Sequence, residues 1–182
     1  MSIDPKKGLT PQTNNVRSLG LNQTTPPSGP AGTTSHIVFN EDGTQLIASV
    51  KGVPPQPGFF AIWNVSSDGT LSQNFQKLAP NQGGLLPFSM TVIKGQNALL
   101  ATDAGVGFDI VDLANMTPAN KSSVVPIQGQ GATCWSSHSE KTGNFYLTDI
   151  GTNQVTEVNV DKNLKGTIVK VCKISVTIRD VD

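Results

Sequence analysis

Apolar and polar residues alternate along three stretches of the chain, and a short polar turn interrupts each stretch in the middle. The stretches cover residues 35–52, 88–105 and 134–151; each is eighteen residues long, and they align without a gap. Their turns, NEDGT, KGQN and SEKTGN, are rich in the glycine, asparagine and acidic residues that tight turns favour. Alternation on both sides of such a turn predicts a β-hairpin, so the sequence predicts three equivalent hairpins.

Further strand-like segments follow each hairpin. Third runs lie at 59–65, 107–113 and 154–160, and weaker fourth runs lie at 74–78, 123–127 and 167–171. Units of four strands therefore recur about every 48 residues, which is the period of propeller blades. A sandwich of short strands is the alternative, although a sandwich needs no regular four-strand period. We predict an all-β fold, an incomplete β-propeller with about three four-stranded antiparallel blades plus a flanking strand.

The predicted organisation has three parts. Residues 1–31 form an N-terminal segment with one strand, at 16–21, and most of a Pro/Gly-rich loop that begins at residue 22. The blades occupy 32–171, and the remaining residues, 172–182, form an atypical C-terminal tail. The individual blades are expected at 32–80, 85–128 and 131–171.

Composition excludes several classes of function. The 13 basic and 13 acidic residues cancel, and charged residues make up only 14% of the chain. No electrostatic surface for nucleic acid or an anionic membrane is therefore expected. No apolar run approaches the roughly 20 residues of a membrane-spanning helix, and the first residues lack the apolar core of a secretory signal. Four Asn-X-Ser/Thr sequons, at Asn22, Asn64, Asn115 and Asn120, are compatible with secretion.

Cys134 and His138 stand four positions apart and raise the question of a catalytic thiol–imidazole pair. The repeat places both on the first strand of the third blade, where they would lie about 13 Å apart at about 3.3 Å per residue. A catalytic pair needs hydrogen-bond reach, so we expect none here. Cys172 follows an outer strand, too far from Cys134 for a disulfide. With no metal-ligand spacing and no phosphate-binding glycine loop, we expect no metal and no cofactor.

Candidate site residues lie where the first strand of each blade begins. First strands line the axis of a propeller, and ligands bind at the mouth of that axis. His36 is a weak candidate for a catalytic residue, and Ser89, Asp103, Trp135 and Asp149 are candidates for substrate binding. Each has a structural alternative. Asp103 and Asp149 each precede a glycine by two residues and fit Asx-turns, Trp135 fits packing between blades, and His36 fits an exposed or hydrogen-bonded strand position.

The segments LGLNQTTPPSGPAGTTSHIVFNEDGTQLIASVKG, GGLLPFSMTVIKGQNALLATDAGVGFDIVDL and GQGATCWSSHSEKTGNFYLTDIGTNQVTEVNV resemble fungal secreted 3-carboxymuconate cyclase-like proteins of the lactonase-type seven-bladed propeller family. The resemblance covers about residues 16–170. It implies lactone-forming or lactone-opening chemistry, a lactone or carbohydrate ligand, and an extracellular or cell-wall location. The chain departs from the family in having about half of the ring and an unfamiliar end, VCKISVTIRDVD.

Two functions follow as hypotheses. The first is a fragment of a secreted lactonase or 3-carboxymuconate cyclase-like propeller, inactive as written because half a ring cannot close a central pocket. The alternative is a non-catalytic fungal cell-surface or secreted binding protein or antigen, which the Ser/Thr/Asn-rich sequence favours. An enzymatic assignment by fold analogy alone has a weak warrant.

An open row of blades should also self-associate. Each internal blade buries both faces, so one sheet face stays bare at each end of the row. The bare faces are expected on 16–21 with the first hairpin, and on the third blade with Ile174, Val176 and Ile178. We therefore expect the chain to dimerise into a pseudo-ring or to aggregate.

Overall fold

The computed structural model describes residues 2–10, 16–24, 26, 28–116 and 121–174. All regular secondary structure in these residues is β-strand. A short hairpin of β1 (Ser2–Asp4) and β2 (Gly8–Thr10) comes first. Blade 1 contains β3 (Thr34–Phe39), β4 (Gln45–Val50), β5 (Phe59–Asn64) and β6 (Gln76–Leu78). Blade 2 contains β7 (Pro87–Ile93), β8 (Ala98–Asp103), β9 (Gly107–Asp112) and β10 (Ser123–Pro126). Blade 3 contains β11 (Thr133–His138), β12 (Phe145–Asp149), β13 (Gln154–Val160) and β14 (Gly166–Lys173).

Each blade is a four-stranded antiparallel sheet in which the strands follow sequence order. This topology confirms the predicted partial propeller. The first strand of every blade carries a register shift near its start, between Thr34 and His36, between Pro87 and Met90, and between Thr133 and Trp135. A β-bulge bends its strand and re-aims the nearby side chains. The three blades therefore change their side-chain directions at the same end, where the candidate residues lie.

The hydrophobic core lies between successive blades. Every residue of β8 and β9 is buried, because blade 2 is covered on both faces. The cluster between blades 1 and 2 comprises Ile47, Phe60, Ile62, Met90, Leu99, Ala101, Val111 and Leu113. The cluster between blades 2 and 3 comprises Ile93, Ala98, Leu100, Phe108, Ile110, Ile127, Phe145, Leu147, Val158 and Leu164. Burial of these side chains is the main force that holds the blades together.

One hydrogen bond recurs between neighbouring blades, and we call it the inter-blade hydroxyl bond. Ser49 of β4 donates its hydroxyl to the carbonyl oxygen of Phe88 at 2.5 Å, and Thr102 of β8 donates its hydroxyl to the carbonyl oxygen of Cys134 at 2.6 Å. Both donors are buried. They occupy the same position in the eighteen-residue repeat, and both acceptors are the first residue of the next repeat.

The predicted flanking strand at 16–21 is wrong, since these residues form no strand. Gly20 has a φ of 66°, a left-handed conformation that breaks an extended run. The segment instead packs against blade 1. Leu19 joins the small cluster of Ala48, Ala61 and Trp63 on its outer face, while the Arg17 guanidinium donates to the carbonyl of Leu71 at 2.6 Å.

The C-terminal tail begins later than expected. β14 continues to Lys173, with Cys172 opposite Val155 and Lys173 opposite Gln154, so the first two tail residues belong to blade 3. Ile174 is the last described residue and is half exposed. Val176 and Ile178, which we expected on the open face, lie outside the described residues.

Candidate functional site

The starts of the three inner strands converge on a cluster of aromatic and basic side chains, which we call the mouth cluster. It consists of His36, Lys51, Phe88 and Trp135. The Trp135 ring meets the His36 ring edge-on, with ring centres 5.9 Å apart, and meets the Phe88 ring edge-on at 5.4 Å. The Lys51 amine lies 4.5 Å from the centre of the Phe88 ring. All three blades therefore contribute to one cluster.

Lys51 is the residue that the sequence interpretation missed. It follows β4 and is only 7% exposed, and its amine donates to the Ser35 hydroxyl at 2.6 Å. Among the described residues, no carboxylate lies within ion-pair distance of this amine. Burial lowers the pKa of Lys51, whereas negative charge on the neighbouring Cys134 sulfur acts to raise it. Lys51 is thus a desolvated cation whose described partners are a hydroxyl and a ring face.

His36 is held as a hydrogen-bond acceptor. The backbone N–H of Met90 donates to His36 Nδ1 at 3.0 Å. Burial lowers the pKa of the imidazole, which favours the neutral ring. A neutral ring that accepts at Nδ1 carries its proton on Nε2. His36 is therefore arranged to donate a hydrogen bond from Nε2, while Nδ1 is occupied.

Asp103 and Asp149 hold the backbone at equivalent places in blades 2 and 3. Asp103 accepts the N–H groups of Leu85 at 2.6 Å, Leu86 at 2.9 Å and Gly105 at 2.8 Å. Asp149 accepts those of Gly131 at 2.7 Å, Ala132 at 2.9 Å and Gly151 at 2.8 Å. The bonds to Gly105 and Gly151 are those of Asx-turns. Burial raises the pKa of Asp149, but the backbone N–H donors outweigh it, so the net pKa is lowered.

The remaining sequence candidates are separated by their burial. Ser89 is buried between blades 2 and 3, and its backbone N–H donates to the Thr102 hydroxyl at 2.9 Å. Trp135 occupies the equivalent position in blade 3 but is half exposed and belongs to the mouth cluster. The structure thus brings His36 and Trp135 together and places Ser89, Asp103 and Asp149 in the packing around them.

The two cysteines are free thiols. Cys134 and His138 lie towards opposite ends of β11, and His138 contacts the Phe145 ring instead, with ring centres 4.8 Å apart. Burial and the charge of Asp149 raise the pKa of Cys134, while Lys51 acts to lower it. A buried thiol with a raised pKa is a poor nucleophile. The described residues contain no group of three or more His, Cys, Asp or Glu side chains that could hold a metal ion.

Asp109 is a second feature that the sequence interpretation missed. It lies on β9, is 1% exposed, and within the described part of the chain neither carboxyl oxygen has a hydrogen-bond partner. Burial raises its pKa well above the usual range, and the charge of Asp103 adds to this effect. A buried carboxyl with no partner is stable only in its neutral form.

A comparison with solved structures finds the periplasmic gluconolactonase of Pseudomonas aeruginosa, with a TM-score of 0.63 and 18% sequence identity. The match covers 82% of this chain and 44% of the gluconolactonase chain, so this chain spans less than half of that structure. Neither the family models nor the curated proteins contain a match. In the described residues, no helix has the length and apolar character needed to cross a membrane. The likeness shows that the chain has the fold of part of a lactonase-type propeller.

Proposed function

We propose that this chain is the ligand-binding part of a lactone-processing propeller and that the mouth cluster binds a lactone or the related sugar acid. The observation that carries the proposal is Lys51, a buried cation that has no carboxylate partner among the described residues and lies over the Phe88 ring in the mouth cluster. The likeness to a gluconolactonase fold supports the same ligand class.

The geometry suits this ligand in three ways. A lactone presents a polarised carbonyl oxygen, and its ring-opened acid presents a carboxylate; both accept hydrogen bonds from an ammonium group. His36 supplies a second donor through Nε2. The half-exposed ring of Trp135 supplies an apolar surface for the C–H faces of a sugar ring. A carbonyl between these donors would be polarised towards attack by water.

Binding without turnover is the outcome we expect for the chain alone. The Asp103 and Asp149 carboxylates are occupied by backbone N–H groups, and His36 Nδ1 is occupied by Met90. Neither of the two candidate aspartates therefore offers a free carboxylate as a general base, and the mouth cluster itself contains no carboxylate. This observation favours the second candidate function, a non-catalytic binding protein, for the isolated chain. The exposed Asn22 and Asn64 sequons fit an extracellular location, which glycan attachment during secretion from a fungal host would test.

Tryptophan fluorescence tests the proposal directly. Trp63 is buried on the outer face of blade 1, so a Trp63→Phe background leaves Trp135 as the reporter of the mouth. Titration with glucono-δ-lactone and with gluconate should change the Trp135 emission. Lys51→Ala should weaken gluconate binding about tenfold or more, because a charge-assisted hydrogen bond contributes about 1.5–3 kcal/mol.

Lys77 provides the matched control. Its amine also lies 4.5 Å from a ring centre, that of Phe59, but on the outer part of blade 1. Lys77→Ala should leave the titration unchanged. Equal weakening by both substitutions, or no response of Trp135 to either ligand, would refute the proposed site.

A further inference from the structure

The inter-blade hydroxyl bond has a third potential donor that nothing in the described chain uses. Ser49 and Thr102 form the bond in blades 1 and 2, and Thr148 occupies the same repeat position in blade 3. Thr148 lies opposite Trp135 on the face of β12 that points away from blade 2. The described chain has no blade beyond this face, so no inner-strand carbonyl follows Thr148.

The surroundings of Thr148 form an open groove with a volume of about 420 Å³. Its walls include Ile150, which is 70% exposed, and Ile174, which is 49% exposed. Exposed apolar side chains next to an unused hydrogen-bond donor are features of an uncovered interface. Between blades 2 and 3, apolar contacts and the hydroxyl bond of Thr102 together hold the two blades.

Blade 1 presents the complementary half of this interface. Ser35 is the first residue of the first repeat, equivalent to Phe88 and Cys134, and in the part of the chain that the structure describes no blade stands before it to donate to its carbonyl. Ile37 is equivalent to Met90, which is 3% exposed because it packs against the preceding blade, whereas Ile37 is 57% exposed. Phe39 is also half exposed. Leu19, Leu71 and Phe75 cover the outer part of this face, so the inner strand is the uncovered part.

We propose that a second copy of this chain docks head to tail on these two surfaces, with Thr148 of each copy donating its hydroxyl to the Ser35 carbonyl of the other. The donor surface and the acceptor surface belong to one chain, which makes two copies self-complementary. Head-to-tail contacts close a ring when the rotation allows it. Three blades that match 44% of a lactonase chain supply a little less than half a ring, so two copies would form a ring of six blades, one fewer than in the seven-bladed family that the sequence resembles.

The dimer would also complete the mouth. Each copy contributes one His36, one Lys51 and one Trp135, so the closed ring presents two mouth clusters around one axis. The association needs no ligand at the mouth and can be measured without one, although Ser35 and Thr148 adjoin the mouth cluster through Lys51 and Trp135.

Light scattering coupled to size-exclusion chromatography tests the association. The 182-residue chain should elute with about twice its mass of 19.2 kDa. Thr148→Val removes the hydroxyl and keeps the shape, and should raise the dimer dissociation constant about tenfold. Ile37→Lys should give a monomer. Val53→Lys is the control, since Val53 is 58% exposed but lies in the loop after β4, and it should leave the dimer intact.

Cross-linking tests the orientation. In a Cys172→Ser background, Ser35→Cys and Thr148→Cys variants should form an intermolecular disulfide when mixed. Each variant oxidised alone should remain uncross-linked. A monomeric wild-type chain, a dimer that withstands Ile37→Lys and Thr148→Val, or cross-linking of either variant with itself would overturn the head-to-tail dimer.

Discussion

At the scale of single residues, the least expected feature is Asp109, an acid inside an apolar strand. Its neighbours across the sheet are Ala101 and Val124, and an added Cβ at Gly84 would stand 3.2 Å from its carboxyl oxygen. No described residue donates a hydrogen bond to this carboxyl, and the charge of Asp103 disfavours a second negative charge here. The folded protein therefore holds a proton here at a pH where an unfolded chain has released it.

Replacing Asp109 with Asn should stabilise the protein at neutral pH. Below the unfolded pKa of about 3.9, Asp109 is protonated in both states and costs no stability. As the pH rises from there towards the folded pKa, the free energy of unfolding of the wild type falls by about 1.4 kcal/mol per pH unit. Asp109→Asn removes this penalty. Denaturant unfolding between about pH 4 and pH 8 should show the wild-type stability falling relative to that of the variant as the pH rises.

Asp112 on the same strand is the control for this prediction. It is buried too, but it accepts the backbone N–H groups of Ala114 at 3.0 Å and Lys121 at 3.2 Å. Asp112→Asn should destabilise the protein. If Asp109→Asn destabilises it to the same degree at neutral pH, Asp109 has a partner and is ionised.

At the scale of strands and turns, the three blades solve one problem in two ways. A backbone N–H three residues before each repeat needs an acceptor. In blades 2 and 3 these are the N–H groups of Leu85 and Gly131, and the Asp103 and Asp149 carboxylates accept them. In blade 1, Val50 stands at the repeat position that an aspartate occupies in blades 2 and 3. The N–H of Gly32 donates to the carbonyl of Gly52 at 3.1 Å instead. Blade 1 therefore makes this connection without a side chain, and the residue after Val50 is Lys51 of the mouth cluster.

Asp149→Asn should therefore weaken blade 3, by about 2 kcal/mol, because hydrogen bonds to a charged acceptor are stronger than those to an amide. The lowered pKa means that the wild-type contribution is present above the unfolded pKa and disappears as the pH falls through the folded value. The variant should thus show its largest deficit near neutral pH and approach the wild type in acid. Thermal unfolding followed by circular dichroism would measure this, and a deficit that grows in acid would contradict it.

Strands and hairpins were predictable because apolar and polar residues alternate along a strand that has one buried face and one exposed face. The third strands begin where the pattern placed them, at Phe59, Gly107 and Gln154. The strand predicted at 16–21 does not form, because alternation does not reveal whether a partner strand exists and because Gly20 leaves the extended region.

Lys51 and Asp109 were missed for a different reason. Each is buried and has no ionic partner among the described residues, and a sequence reveals neither the burial of a charged side chain nor whether an opposite charge lies near it.

At the scale of the whole molecule, the fold consists of nearest-neighbour interfaces. Blades 1 and 2 share one hydrophobic cluster, and blades 2 and 3 share another. In such a linear array, stability is the sum of the blades and their interfaces, and each uncovered end lacks one interface. A dimer that closes the array adds two interfaces without adding a blade.

The melting temperature of the 182-residue chain should therefore rise with protein concentration. Association of folded chains stabilises them by mass action, whereas a monomer melts at the same temperature at every concentration. If the folded dimer dissociates into unfolded chains, a hundredfold rise in protein concentration stabilises the dimer relative to those chains by about 2.7 kcal per mole of dimer. Calorimetry over this range should show the shift for the wild type and for Val53→Lys. Ile37→Lys should melt at a lower temperature that does not depend on concentration, because its blade 1 surface can no longer be covered. A wild-type melting temperature that stays constant over the hundredfold range would show that three blades are stable with both end faces exposed.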